Sequence, residues 1–180
     1  MDEPEPDTVR AAAAGDLGAF EELVRSYQVH VWRFLKHLLG DVDLVEDLTQ
    51  ETFIRVYRRL DSFRFQAKFS TWVFQVARNV AVDSLRSQAR QRRVVDALEP
   101  PPSTPDAASR VEVAAAIASL TPKLREAFVL VEAHGMTYRE AGRILGVAEG
   151  TVKSRVFHAR ERLVRWFSVD DTTAEATGEM

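Results

Sequence analysis

Residues 149–163 read EGTVKSRVFHARERL. At helical spacing Val152, Val156, Ala159 and Leu163 form one face, and Trp166 continues it. Glu149, Lys153, Phe157 and Arg160 fall on another side, with Thr151, Ser154, Arg155 and His158 close by. A basic helical face is ordinarily a solvated one. Phe157 is the discordant residue, because a ring gains nothing from facing water. Against a DNA major groove it touches a thymine methyl or a sugar, Lys153 donates to a base edge or phosphate, and Ser154 permits close approach. Glu149 can accept from cytosine N4, and the backbone donors at 149–152 can meet a phosphate. Plainer assignments stand beside these. Phe157 can pack on the tail or on another domain, and His158 can be an exposed helix residue. Arg160, Arg162 and Arg165 also complement a helix C-terminus.

A second stretch, FRFQAKFSTWVFQVARNVAVDSLRSQARQRR at 63–93, interleaves aromatic and basic residues. Aromatic faces stack on unpaired bases while cations follow the backbone. Phe63, Phe65, Phe69 and Trp72 could form such a platform, although Phe69 and Trp72 also suit a core. Asn79 is polar within an apolar-rich helix and either bonds internally or reads a base. Asp83 and Arg86 are spaced to pair with each other.

Catalytic patterns are missing from this sequence. His30, His37, His134 and His158 lie in four different contexts, no HExxH spacing occurs, and no glycine loop suits a phosphate. There is no cysteine, which excludes disulfides, thiolate nucleophiles and zinc–thiolate sites. Recognition rather than catalysis is the expected chemistry, with no enzyme activity and no cofactor.

The elements that must position these groups read as helices throughout, so an all-α chain is expected. Thr8 can cap a short first helix, and Asp16 a second whose stripe is Phe20, Leu23, Val24, Tyr27, Val31, Phe34, Leu35 and Leu38. Asp43 with Glu46 has the form of a capping box. It opens a helix facing inward through Leu44, Val45, Leu48, Phe53, Val56, Tyr57 and Leu60, with Asp47, Gln50, Glu51 and Arg55 outside. Ser70 or Thr71 can cap a fourth helix near Trp72, with Val73, Val76, Ala77, Val80 and Leu85 inward. Four prolines between 100 and 105 cannot continue a helix. Two small helical domains are therefore expected at 1–94 and 110–168, joined by a flexible linker at 95–109 and followed by an acidic tail at 169–180. Ser109 with Glu112 and Thr137 with Glu140 form two further capping boxes, and Thr121–Pro122 marks a start. Helices at 122–134, 138–145 and about 149–166, the last two joined by a tight turn at GVA, have the form of a helix-turn-helix.

Net charge over the 180 residues is only −3, but its distribution is uneven. The first 22 residues and the last dozen are acidic, while 61–93 and 137–165 are basic. No apolar run is long enough to span a bilayer, and the acidic start is not a signal peptide. A cytoplasmic protein without membrane insertion is expected.

These motifs together resemble the bacterial RNA polymerase sigma-70 family, in particular its small extracytoplasmic-function sigma factors. DLVEDLTQETFIRVYRRL at 43–60 resembles the family's polymerase-binding helix. FSTWVFQVARNVAVDSLR at 69–86 resembles the segment that opens and reads the −10 element. LTPKLREAFVLVEAHGMTYREAGRILGVAEGTVKSRVFHARERL at 120–163 resembles the −35-reading domain. The resemblance implies that Asp47, Gln50, Glu51 and Arg55 meet the clamp of core RNA polymerase. It implies opened −10 DNA for Phe69, Trp72, Asn79, Arg86, Arg90, Arg92 and Arg93. It implies −35 DNA for Glu149, Thr151, Lys153, Ser154, Arg155, Phe157 and His158, and an anti-sigma factor as a further partner. Two residues depart from the family pattern. Gly142 stands where alanine is usual and more favourable by about 1 kcal/mol, so that helix is either softer or more closely approached. His158 stands where arginine is frequent. A standalone helix-turn-helix regulator of the LuxR type and a scaffold that binds no DNA are the alternatives; residues 43–86 argue against the former.

Overall fold

The computed structural model describes residues 2–40, 42–92 and 108–175, without the side chains of 89–92, 108–111 and 169–175. Its regular elements are all helical. In the N-terminal half they are α1 (Pro6–Ala13), α2 (Leu17–Leu39), α3 (Val42–Arg59), a 3-10 turn (Leu60–Ser62) and α4 (Phe69–Arg92). In the C-terminal half they are α5 (Ala108–Ser119), α6 (Pro122–Phe128) running into a π-helical turn (Val129–Ala133), α7 (Tyr138–Leu145) and α8 (Glu149–Glu175). The linker expected at 95–109 lies almost wholly outside the described residues. The tail expected at 169–180 is helical backbone as far as Glu175.

Local chemistry accounts for several boundaries. Asp16 accepts from the Ala19 N–H at 3.0 Å and starts α2; Gly40, at φ 81°, ends it. Thr137 and Glu140 form a complete capping box on α7, with both reciprocal bonds made. Pro122 occupies the first turn of α6, where its missing N–H costs nothing.

Other starts differ from expectation. α1 begins at Pro6, so Thr8 lies inside it. Asp43 is already within α3, and Ser109 within α5. α4 begins at Phe69, so Ser70 and Thr71 are buried residues of its first turn and cap nothing. Three inward assignments are also corrected. Tyr57 lies exposed against Phe20, Leu85 faces outward, and Trp166 is 39% exposed.

The core of the first half joins Leu23, Tyr27, Val31, Phe34 and Leu35 of α2 to Val45, Phe53 and Val56 of α3 and to Val73, Phe74 and Ala77 of α4. Each large side chain fully withdrawn from water here contributes roughly 2–3 kcal/mol. Leu130, Ala141, Ile144, Leu145, Val152 and Val156 form the core of the second half. The halves touch: α7 packs on α4, and α5 and α6 on α2.

Candidate nucleic-acid interface

α7, the turn and α8 hold one candidate surface. Gly146 adopts φ 67°, a left-handed conformation that suits glycine, and ends α7. Val147 N–H donates to the Gly142 carbonyl at 3.0 Å. A Cβ at Gly142 would stand 2.8 Å from the Val147 carbonyl oxygen. Of the two explanations for this glycine, close approach is therefore the right one.

α8 is bound to its domain through buried Val152, Val156 and Ala159. Glu149, Thr151, Lys153, Ser154, Phe157 and His158 are exposed on its other faces. Phe157 is 59% exposed, and its ring meets that of His158 at 5.5 Å. Lys153 pairs with Glu149 at 2.9 Å and stands 5.7 Å over the Tyr138 ring. The Glu149 carboxylate holds the Lys153 ammonium above the usual lysine range. His158 meets Glu161 at 3.0 Å, and Arg160 is turned aside to Glu132 at 2.6 Å. Arg155, half-buried, lines a basic groove of about 410 Å³ with Lys123, His158, Arg162 and Arg165.

The second surface lies where the loop after α3 meets α4. Phe63, Arg64, Gln66, Thr71, Trp72 and Gln75 line a cleft of about 530 Å³, and Arg143 of α7 stands at its edge. Phe63 packs tilted on Trp72 at 5.4 Å. The hydroxyl of Thr71, a residue only 3% exposed, has no hydrogen-bond partner among the described residues. Phe69, at 4% exposed, lies against Tyr27 and Trp72. Asn79 and Arg86 are exposed along α4. Arg90 and Arg92 lie on α4, but their side chains, like all of Arg93, fall outside the described residues. Thr71, Gln66 and Gln75 were not singled out as site residues in the sequence; for Gln66 the polar loop before α4 was the available signal.

The acidic edge of α3 divides in two. Asp47 and Gln50 are exposed. Glu51 is bonded to Arg55 at 2.7 Å, and Arg55 continues to Asp83 of α4 at 2.9 Å. Asp83 thus pairs between helices rather than with Arg86. Hydrogen bonds to Glu51 and then Asp83 raise the Arg55 pKa.

Between the halves, Arg78 meets Glu126 at 3.1 Å and Lys68 meets Glu140 at 2.9 Å. Burial acts upward on the Glu140 carboxyl, but the Lys68 ammonium and the Thr137 N–H and hydroxyl outweigh it and hold the carboxyl low. Arg125 donates to the Leu38 carbonyl at 3.0 Å. His134 is packed against Phe74 and Phe34, with ring centroids 4.9 and 5.9 Å away, and near His30. Burial, then His37, His30 and Arg33, lower its pKa to about 4.

Comparison with known proteins shows what the two halves of the chain are similar to. The family profile described as Sigma-70 region 2 matches residues 23–91, and that described as Sigma-70, region 4 matches 110–163. The ECF RNA polymerase sigma factor SigC of Mycobacterium tuberculosis is 35% identical over 169 residues, covering 91% of each chain. The ECF RNA polymerase sigma-E factor of Salmonella typhimurium is 36% identical over 172 residues, covering 86% of this chain and 90% of the relative. Among solved structures, the sigma factor RpoE in complex with the anti-sigma factor NepR from Bartonella quintana superposes with a TM-score of 0.74. It is 29% identical and covers 84% of this chain and 98% of its own. CnrH in complex with the cytosolic domain of CnrY superposes at 0.72, with 26% identity over 91% and 96%.

These complexes correct the expectation of a cytoplasmic chain. The relatives are held by other proteins, and one of those takes part through a cytosolic domain, a part of a larger partner. A protein held in this way is found where its partner is. No helix among the described residues is long and apolar enough to cross a membrane, and that fact assigns no compartment. The region 2 match also removes the standalone regulator and the DNA-free scaffold as readings.

Proposed function

We propose that the two halves of this chain, which belongs to the extracytoplasmic-function group of the sigma-70 family and directs RNA polymerase to promoters, divide promoter recognition between the two surfaces just described. The chain is an initiation factor and not an enzyme. α8 lies in the major groove of the −35 element. Lys153 and Arg155 hold phosphates, while Ser154, Phe157 and His158 face base edges, with Glu149 and Thr151 at the entering end. The exposed Phe157 ring on an otherwise polar face is the observation that carries this assignment.

In the N-terminal half, an unstacked base of the −10 strand enters the cleft beside Trp72. Thr71 shapes the cleft wall, and the amides of Gln66 and Gln75 offer hydrogen bonds there. Asn79 and Arg86 follow the strand along α4, and Arg90, Arg92 and Arg93 meet phosphates further on. Asp47 and Gln50 dock on the polymerase clamp, with Glu51 and Arg55 behind them. An anti-sigma factor covers these same surfaces and sets where the chain resides.

Run-off transcription with core polymerase, paired with permanganate footprinting, tests the assignment. Trp72→Ala should abolish strand opening while duplex binding at −35 persists, and Phe157→Ala should weaken −35 recognition while the ability to open the −10 strands persists. Identical defects from both variants would reject the division.

A further inference from the structure

α4 starts without a local cap. Its N-cap position is Lys68, whose carbonyl accepts from the Trp72 N–H at 3.2 Å. A lysine side chain has no acceptor to offer the first free N–H groups of the helix. Those groups are met instead by Glu3, 66 residues away. Its carboxylate accepts from the Phe69 N–H at 2.8 Å, from the Ser70 N–H at 3.3 Å, and from the Ser70 hydroxyl. An anionic group at this end is also favoured by the helix dipole.

The same N-terminal segment grips the structure at two more points. The Tyr27 hydroxyl, on a fully buried residue of α2, donates to the Asp2 carbonyl at 3.0 Å. The Arg10 guanidinium of α1 lies 5.1 Å above the Phe65 ring. Phe65 is the one described residue other than glycine with positive φ, 55°, and it stands in the loop that forms the cleft wall. The loop is therefore clasped at its middle by Arg10 and at its end by Glu3. Thr71 and Trp72 follow immediately in the turn that Glu3 caps.

We infer that Glu3 is a positioning residue for −10 recognition, fixing the first turn of α4 so that Thr71 and Trp72 hold a base in the cleft. This rests on the reading of the cleft as the −10 base site. Glu3 touches no DNA; it acts through Phe69 and Ser70. When it is absent, water can replace the lost acceptors but cannot hold the turn in one place, so discrimination at the cleft falls more than folding does.

The test uses holoenzyme assembled from core RNA polymerase and the full chain. Its probe is a promoter selected by the wild type from a random-sequence pool, with every single-base variant of the −10 and −35 elements. Thr71→Ala and Trp72→Ala first identify the −10 position read by the cleft. Glu3→Ala should then lower discrimination at that position about tenfold, in line with the loss of a helix cap. Preferences at −35 should stay close to wild type, and the melting temperature of the free chain should fall by no more than the loss of one helix cap entails. Glu3→Gln, which retains one acceptor oxygen, should fall between, and it decides by the same criteria if Glu3→Ala does not fold. Unchanged discrimination, or a loss spread evenly over all positions with a lowered melting temperature, overturns the role of Glu3. If neither Thr71→Ala nor Trp72→Ala alters any −10 preference, the cleft reading fails first and the inference fails with it.

Discussion

Arg78 of α4 and Glu126 of α6 form an ion pair at 3.1 Å that joins the two halves of the chain, and both side chains are largely withdrawn from water. Lys68 and Glu140 add a second pair beside the cleft. This arrangement places Arg143 at the cleft edge. Charge reversal by Glu126→Lys should separate the halves, because it replaces an attraction worth about 1–3 kcal/mol by a repulsion. The natural chain has no cysteine, so dyes on Arg25→Cys and Arg139→Cys report the separation directly. Energy transfer should fall in the variant and return when Arg78→Glu is added. Single-stranded −10 DNA should bind the opened variant more tightly.

Acid should part the halves as well. His134 sits between Phe34 and Phe74, with Arg33, His30 and His37 on the opposing helix, and its pKa is lowered to about 4. Burial also lowers His30 and His37. The packed form binds fewer protons than the separated form between pH 6.5 and about 4, so its stability falls as pH drops through that window. The loss attributable to His134 is a few kcal/mol at most. The same dye pair titrated from pH 7.5 to 4.5 should show reduced transfer on the acid side. His134→Phe should flatten the curve. An identical curve in that variant would assign the response to other groups.

The sequence was legible where the determinant is local. Asp16 and Ala19, or Thr137 and Glu140, are three residues apart, and such spacing can be read without a structure. The start of α4 could not be read that way, because its cap arrives from Glu3 while Ser70 and Thr71 mimic a local one. The pairing of Asp83 has the same character. Arg86 is the nearer cation, yet Arg55 of another helix takes it. The apolar period of α8 continues through Trp166, but there the residue is 39% exposed rather than buried. Phe157 was visible because an aromatic ring breaks the pattern of a wet face, whereas Lys153 conforms to it. The cleft was not, because it exists only after the loop folds back on α4.

Asp47 and Glu51 should behave differently despite sharing one helix edge. Asp47 is exposed, so Asp47→Ala should weaken assembly with core polymerase and leave the melting temperature unchanged. Glu51 anchors the Arg55–Asp83 link between α3 and α4. Glu51→Ala should therefore also lower stability, by about 0.5–1 kcal/mol for a partly exposed pair. A pull-down on core polymerase together with thermal melts of each variant checks the distinction.

Gly142→Ala should destabilise the C-terminal half, against the ordinary preference of helices for alanine by about 1 kcal/mol. The added Cβ would stand 2.8 Å from the Val147 carbonyl oxygen, and neither backbone can yield without moving the turn between α7 and α8. The variant should melt lower than wild type and bind −35 duplex more weakly, because α8 is displaced from its place on the domain. A melting temperature equal to or above that of wild type would show that the turn adjusts freely.

Phe157→Ala separates recognition from architecture most sharply. The ring is 59% exposed and its contact is with His158, itself a surface residue. Truncation removes little buried area, so stability should change by no more than about 0.5 kcal/mol. Net charge is untouched, so the salt dependence of duplex binding should keep its slope. Preference at one −35 base pair should nevertheless fall by roughly 1–3 kcal/mol if the ring meets a thymine methyl. Lys153→Ala is the contrasting case. It removes a cation, so it should weaken binding to every −35 sequence alike and reduce the salt slope by about one counterion. Anisotropy titrations of both variants against single-position −35 duplexes, at two salt concentrations, tell the two roles apart. A uniform loss from Phe157→Ala, accompanied by a lower melting temperature, would assign the ring to structure and leave Ser154 and His158 as the base-facing residues of α8.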